Sequence, residues 1–191
     1  SSCRYPVRSR EMPSMRKEIV AELPELGLIN DVPLRDKVVD VWEEALKTGG
    51  FSLWDLKNMP FTLLADNVSV TFLEHVRAVC QMCVGMAEVV TKSYGKRVPI
   101  NKDVLVAGAL LADIGKMIEF EKRPDGTLRK GHKGDMLRHP FSGVGMAFKH
   151  GLPYEVMHII AVHSKEGDFV RRSPEATIYH HPEFADFDLA R

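Results

Sequence analysis

Cysteine is scarce in this chain: three residues in 191, an odd and sparse set. That argues against a disulfide framework and suits a reducing, cytoplasmic setting. Long apolar runs are missing too. None reaches the roughly 18 residues that a membrane-spanning helix needs, so no membrane partner is expected. Neither charge is in excess, with Lys+Arg and Asp+Glu at 26 each. This removes the global field that would draw in nucleic acid, yet leaves room for a local basic pocket suited to a phosphate. Internal repeats and low-complexity stretches are also absent.

What is present is ordinary for one globular domain with its own core: 45% hydrophobic and 27% charged residues. The polar opening, with Arg4, Arg8 and Arg10 and no apolar h-region, does not read as a secretory signal. Residues 1–14 are expected to be a disordered tail or remnant ahead of a helical domain over 15–191. Cys80 and Cys83 form a CxxC inside a helical pattern from Phe72 to Val90, with no second pair to complete a zinc site. Two small core residues at i, i+3 spacing is the preferred reading.

Periodicity predicts an all-α fold, about five to seven helices around one central buried helix. Asp31 and Pro33 open a helix that stops at Gly49-Gly50, and Ser52 to Asn58 gives a short helix or turn. A long helix is expected from about Val68 to Tyr94. Asn101 caps the next, whose run from Val104 to Leu111 is apolar all round and so belongs in the middle of a bundle. Asp125-Gly126 marks a small β-hairpin near 119–131. Pro140 and Pro153 are each expected in the first turn of a helix, and Ser173-Pro174-Glu175 starts the last one. The hairpin's Lys122, Arg123, Arg129, Lys130 and Lys133 form either a solvated basic ribbon or a lid over an anion.

Eight histidines are present. His132, His150 and His158 read as surface or hydrogen-bonded residues. His75 lies on the long helix, His139 precedes a helix-starting proline, and His163 closes a helix beside Ile159 and Ile160. Asp113, at the end of the all-apolar helix, stands out, because an unpaired buried carboxylate is costly. Metal coordination or a salt bridge would resolve that cost, and converging histidines and carboxylates would make an N/O metal site.

Phe72-Leu73-Glu74-His75 and Leu110-Leu111-Ala112-Asp113-Ile114-Gly115-Lys116 resemble motifs of the HD-domain superfamily of metal-dependent phosphohydrolases. The resemblance runs from about residue 68 to the C-terminus. It implies that His75 and Asp113 are metal ligands and that His139 and His163 serve a second ion. Lys116 would meet a phosphate oxygen or a charge partner, against the alternative of a solvated helix end. Glu183, or Asp186, would be the last ligand. The implied cofactor is a divalent transition metal, one or two ions, with Fe, Mn, Zn, Co, Ni and Mg not distinguished. The implied partner is a small phosphorylated substrate.

Ala112 departs from the family pattern, standing where that pattern has histidine. Three accounts are open: an engineered change, a natural binding or regulatory relative without turnover, or a one-metal centre with slow catalysis. The resemblance also implies an alternative chemistry, that of mixed-valent di-iron oxygenases.

Overall fold

The computed structural model describes residues 14–65 and 68–190. Of the opening segment, 1–13 lie outside the described residues, and Cys3 with them. Ser14 caps α1 (Met15–Glu22) through its hydroxyl, which accepts from Lys17 N. After a 3-10 turn at Pro24–Leu28, α2 (Val32–Gly49) begins at the Asp31 cap. It ends at Gly50, whose positive φ of 70° takes the left-handed conformation that glycine tolerates. The single turn α3 (Leu53–Leu56) is held by a Ser52/Asp55 capping box.

The long helix α4 is Phe72–Tyr94, starting four residues later than expected. Thr71 and Glu74 form a reciprocal capping box that fixes the start. The chain just before it is extended instead, with Pro60 bridged to Thr71 and Phe72 N bonded to Met59 O at 2.9 Å. This brings Phe61 beside the first turn of α4, where it stacks on His75 at 4.2 Å.

The apolar helix α5 (Lys102–Leu111) starts at the Asn101 cap, and every residue from Val104 to Leu111 is buried. It packs on α4, α2, α9 (Tyr154–Val162) and α10 (Pro174–Ala190). Gly108 permits that closeness, since a Cβ there would sit 2.4 Å from Ile159 Cδ1. The C-terminal carbonyls of a helix need partners, and Leu110 O receives the Trp42 indole N–H at 3.1 Å in the core.

A turn over Ala112–Gly115 leads into α6 (Lys116–Glu119), followed by β1 (Phe120–Lys122) and β2 (Leu128–Lys130). The strands pair antiparallel with Phe120 opposite Lys130, as the Asp125-Gly126 signal predicts. Next come α7 (His132–Met136) and α8 (His139–Lys149), with Pro140 in the first turn of α8. Pro153 is the cap residue of α9 rather than a member of its first turn. Among the described residues no helix is long and apolar enough to cross a membrane.

Both cysteines of the CxxC are buried and free. Cys83 has a further role. Pro182 inside α10 lacks the N–H that would bond Ile178 O. The Cys83 thiol donates to that carbonyl at 3.8 Å.

Candidate metal centre

Four elements deliver the candidate side chains to one point. His75 comes from the first turn of α4, Asp113 from the turn after α5, His139 from the first residue of α8, and His163 from the cap of α9. All four are buried, at 5% exposure or less. Asp113 lies at the middle. Its Oδ1 is 3.3 Å from His139 Nε2 and 3.5 Å from His163 Nε2, while its Oδ2 is 3.1 Å from His75 Nε2.

The two carboxylates left open by the sequence take different places. Glu183 Oε2 faces the centre, 3.0 Å from His75 Nε2, and accepts from the Tyr179 hydroxyl at 3.0 Å. Asp186 sits behind the ring, 2.6 Å from His75 Nδ1. Two groups of donors result: Asp113, His139 and His163, and His75, Asp113 and Glu183. Within each, the donor atoms lie within 4.8 Å of one another.

The orientation of these atoms fits a cation. His163 Nδ1 donates to Ile160 O at 2.8 Å, and His139 Nδ1 lies 2.8 Å from Glu119 Oε2. With those nitrogens carrying the protons, the two Nε2 lone pairs face each other across 3.2 Å. Asp113 Oδ1 is the third acceptor there and is buried without a hydrogen bond. Unsatisfied buried acceptors turned on one another are costly unless a positive charge sits among them. A set of imidazoles and carboxylates suits a divalent transition metal.

The electrostatics follow the same geometry. Burial disfavours the charge on Asp113, but Lys116 and the surrounding histidines outweigh it and hold its pKa well below the carboxylate range. Burial also opposes a proton on His75, yet Glu183, Asp113 and Asp186 together hold its pKa well above the ordinary value. For His139 burial prevails, and its pKa is lowered despite Glu119.

Lys116 is not a solvated helix end. It is 7% exposed, and its Nζ donates to Asp113 Oδ2 at 2.7 Å and to Phe61 O at 2.9 Å. The bland readings of three histidines hold. His132 is exposed, His150 bonds Glu44, and His158 Nε2 accepts from Ser173 N at 3.1 Å.

A cavity of about 550 Å³ opens onto the cluster. Lys116, Lys130, Arg138 and Lys165 line it on the polar side, and Phe61, Leu63, Phe120 and Phe184 are among its apolar lining. Of the hairpin's cations, Lys130 reaches this cavity while paired with Asp135 at 3.2 Å, Lys122 pairs with Asp55, and Arg129 with Glu121. A wider groove of about 870 Å³ lies between α4, α9 and α10 and holds none of the clustered ligand side chains.

Sequence reasoning missed Glu119, Tyr179 and the stacking Phe61. Glu119 falls in a one-turn helix with no period to place it, and Phe61 arrives through a two-residue bridge that no pattern encodes.

The chain is 36% identical over 117 residues to the dihydroneopterin 2',3'-cyclic phosphate phosphodiesterase of Methanocaldococcus jannaschii. That match covers 60% of this chain and 45% of the relative, so the chain spans less than half of that protein's length. No solved structure matches. The HD-domain family model matches residues 72–180, more than half of the chain, and takes in His75, Asp113, His139 and His163. Glu183 and Asp186 lie just beyond the matched stretch. On this motif, this fold and this convergence of side chains, the chain belongs to the HD-domain family.

Proposed function

We propose that this chain is a metal-dependent phosphohydrolase domain acting on a small phosphorylated, nucleotide-like substrate, with activity reduced by Ala112. The observation that carries the reading is the facing set of buried acceptors, Asp113 Oδ1, His139 Nε2 and His163 Nε2, beside His75 Nε2 between the Asp113 and Glu183 carboxylates. His139, His163 and Asp113 would hold one ion, and His75, Asp113 and Glu183 the other, with Asp113 shared. Bound divalent metal supplies a Lewis acid and brings the pKa of a coordinated water towards neutrality.

The protein's own residues do the rest. Lys116 fixes Asp113 and puts a positive charge on the cavity floor, within reach of charge that develops at phosphorus. Lys130, Arg138 and Lys165 bring cationic groups to a lining that also carries the carboxylates Asp113, Glu119, Glu183 and Asp188. The apolar wall at Phe61, Phe120 and Phe184 receives the non-phosphate part of the substrate and excludes water from that side. The His75 position has three protein donors where a family member carrying the motif histidine has four, so its ion is held more weakly than in such a member.

The relative's name points to cyclic phosphates as the first substrates to test. Purified wild type and Ala112→His would be analysed for metal content and assayed on 2′,3′-cyclic nucleotides and simple phosphodiesters. Phosphoester cleavage in both, faster in the Ala112→His variant, is expected. About two irons per chain with oxygen uptake and no cleavage would replace this reading by the oxygenase. Absence of metal from both forms would leave a binding module.

A further inference from the structure

We infer that Glu119 is a positioning residue for the second ion position: it fixes the His139 ring so that Nε2, not Nδ1, is turned to the centre. The inference rests on the metal-centre reading above but is carried by separate atoms. Glu119 is 4% exposed and its carboxylate accepts three hydrogen bonds. Oε2 takes the His139 backbone N–H at 2.7 Å and the His139 Nδ1–H at 2.8 Å, and Oε1 takes Arg138 Nη1 at 2.7 Å. A single oxygen thus anchors both the backbone and the ring of one residue. That defines the first turn of α8 as well as the rotation of the imidazole.

Glu119 is itself held from several sides. Gly134 of α7 passes so close that a Cβ there would lie 2.6 Å from Glu119 Cγ. Gly131 N bonds Glu119 O at 2.8 Å. Arg138 continues the chain to Glu166 at 3.1 Å, in the 3-10 turn at Lys165–Gly167 that follows His163. A carboxylate–guanidinium–carboxylate line therefore ties α6 to the segments bearing His139 and His163. Asp186 stands in the same relation to His75, with its Oδ2 at 2.6 Å from Nδ1. His163 instead has the neutral carbonyl of Ile160. A carboxylate behind a ligating imidazole both selects the tautomer and raises the donor strength of the far nitrogen, and losing one typically costs 10–100-fold in metal affinity.

Glu119→Gln is the test, because the amide keeps the shape but cannot serve His139 and Arg138 as the carboxylate does. Whichever way it turns, an N–H of the amide meets either the Arg138 guanidinium or the His139 donors. Glu121→Gln, two residues along and half-buried on β1, is the control. Manganese titration should give two positions in wild type and in Glu121→Gln. In Glu119→Gln one of them should weaken 10–100-fold. Nitrogen-15 spectra of metal-free protein at pH 8 should show His139 protonated at Nδ1 in wild type and as a mixture of tautomers in Glu119→Gln. Two wild-type affinities together with an unchanged His139 spectrum in Glu119→Gln would overturn the inference. If Glu119→Gln does not fold, the wild-type spectrum decides, since His139 protonated at Nε2 contradicts the assignment. Failure of wild type to bind metal would sink the phosphohydrolase reading and the ion position together, whereas an unchanged His139 spectrum beside normal metal binding sinks this inference alone.

Discussion

Gly115 offers the sharpest test of how the centre is built. Its backbone, at φ −64° and ψ −16°, is one that alanine adopts freely, so substitution introduces no conformational strain. The obstacle is steric. A Cβ at 115 would lie 2.1 Å from His139 O, 2.8 Å from His139 C and 2.6 Å from Ser142 Oγ. Ordinary contact begins at 3.4 Å, so the turn after α5 and the start of α8 must part by about 1.3 Å. The atoms on both sides are largely backbone and cannot rotate away, which puts the cost at the upper end of overpacking, about 3 kcal/mol. Gly145, exposed within α8 with nothing within 4 Å of a Cβ, is the matched control. Alanine there should stabilise by up to about 1 kcal/mol. Urea denaturation of the two variants without metal should move the midpoint in opposite directions. Because His139 moves with its carbonyl, Gly115→Ala should also lower turnover about 100-fold, as an ångström of misplacement does. A Gly115→Ala protein as stable and as active as wild type would refute the packing argument.

Other consequences can be measured alongside. Lys116→Met leaves the Asp113 charge without its closest cation and should destabilise the metal-free protein by about 3–5 kcal/mol, read from the same urea curves. Binding of an ion at His75 must displace a proton, because the surrounding carboxylates hold that ring's pKa well above the ordinary value, whereas lowered His139 has none to release. Calorimetry in two buffers of different ionisation enthalpy should therefore show about one proton released at one position and none from His139 at the other, with the first affinity rising as pH rises. Burial pushes the Cys80 thiol up to about 12 and Cys83 higher still, so neither should react with iodoacetamide at pH 8 before unfolding. In a Cys3→Ser background, mass spectrometry of the folded protein should show no adduct.

The parts of this molecule that were legible in the sequence are those with a period or a cap. Asp31, Asn101 and Ser173 start helices as expected, and the apolar run before Asp113 is the buried centre. The start of α4 was readable from Thr71 and Glu74, but an apolar valine upstream obscured it, and tertiary pairing with Pro60 decided the matter. His75, Asp113, His139 and His163 were legible as a set through the motif, not through spacing. What spacing cannot supply is which atom of each ring faces inward. Glu119, Asp186 and Ile160 O decide that, and each acts from behind the ring on a contact that closes only in the folded chain. Glu183 and Asp186 differ for a related reason. Three residues apart on α10, they reach opposite nitrogens of one imidazole.

Trp42 gives the molecule a built-in optical reporter. Its indole is fully buried and bonded to Leu110 O, two residues before Ala112 and three before Asp113. The chain's other tryptophan, Trp54, is 71% exposed and so open to acrylamide. Quenching that component leaves a blue-shifted emission from Trp42 alone. Any pull on the end of α5, were Asp113 to take up a cation as proposed, would shift that emission and give a label-free signal from the polypeptide itself.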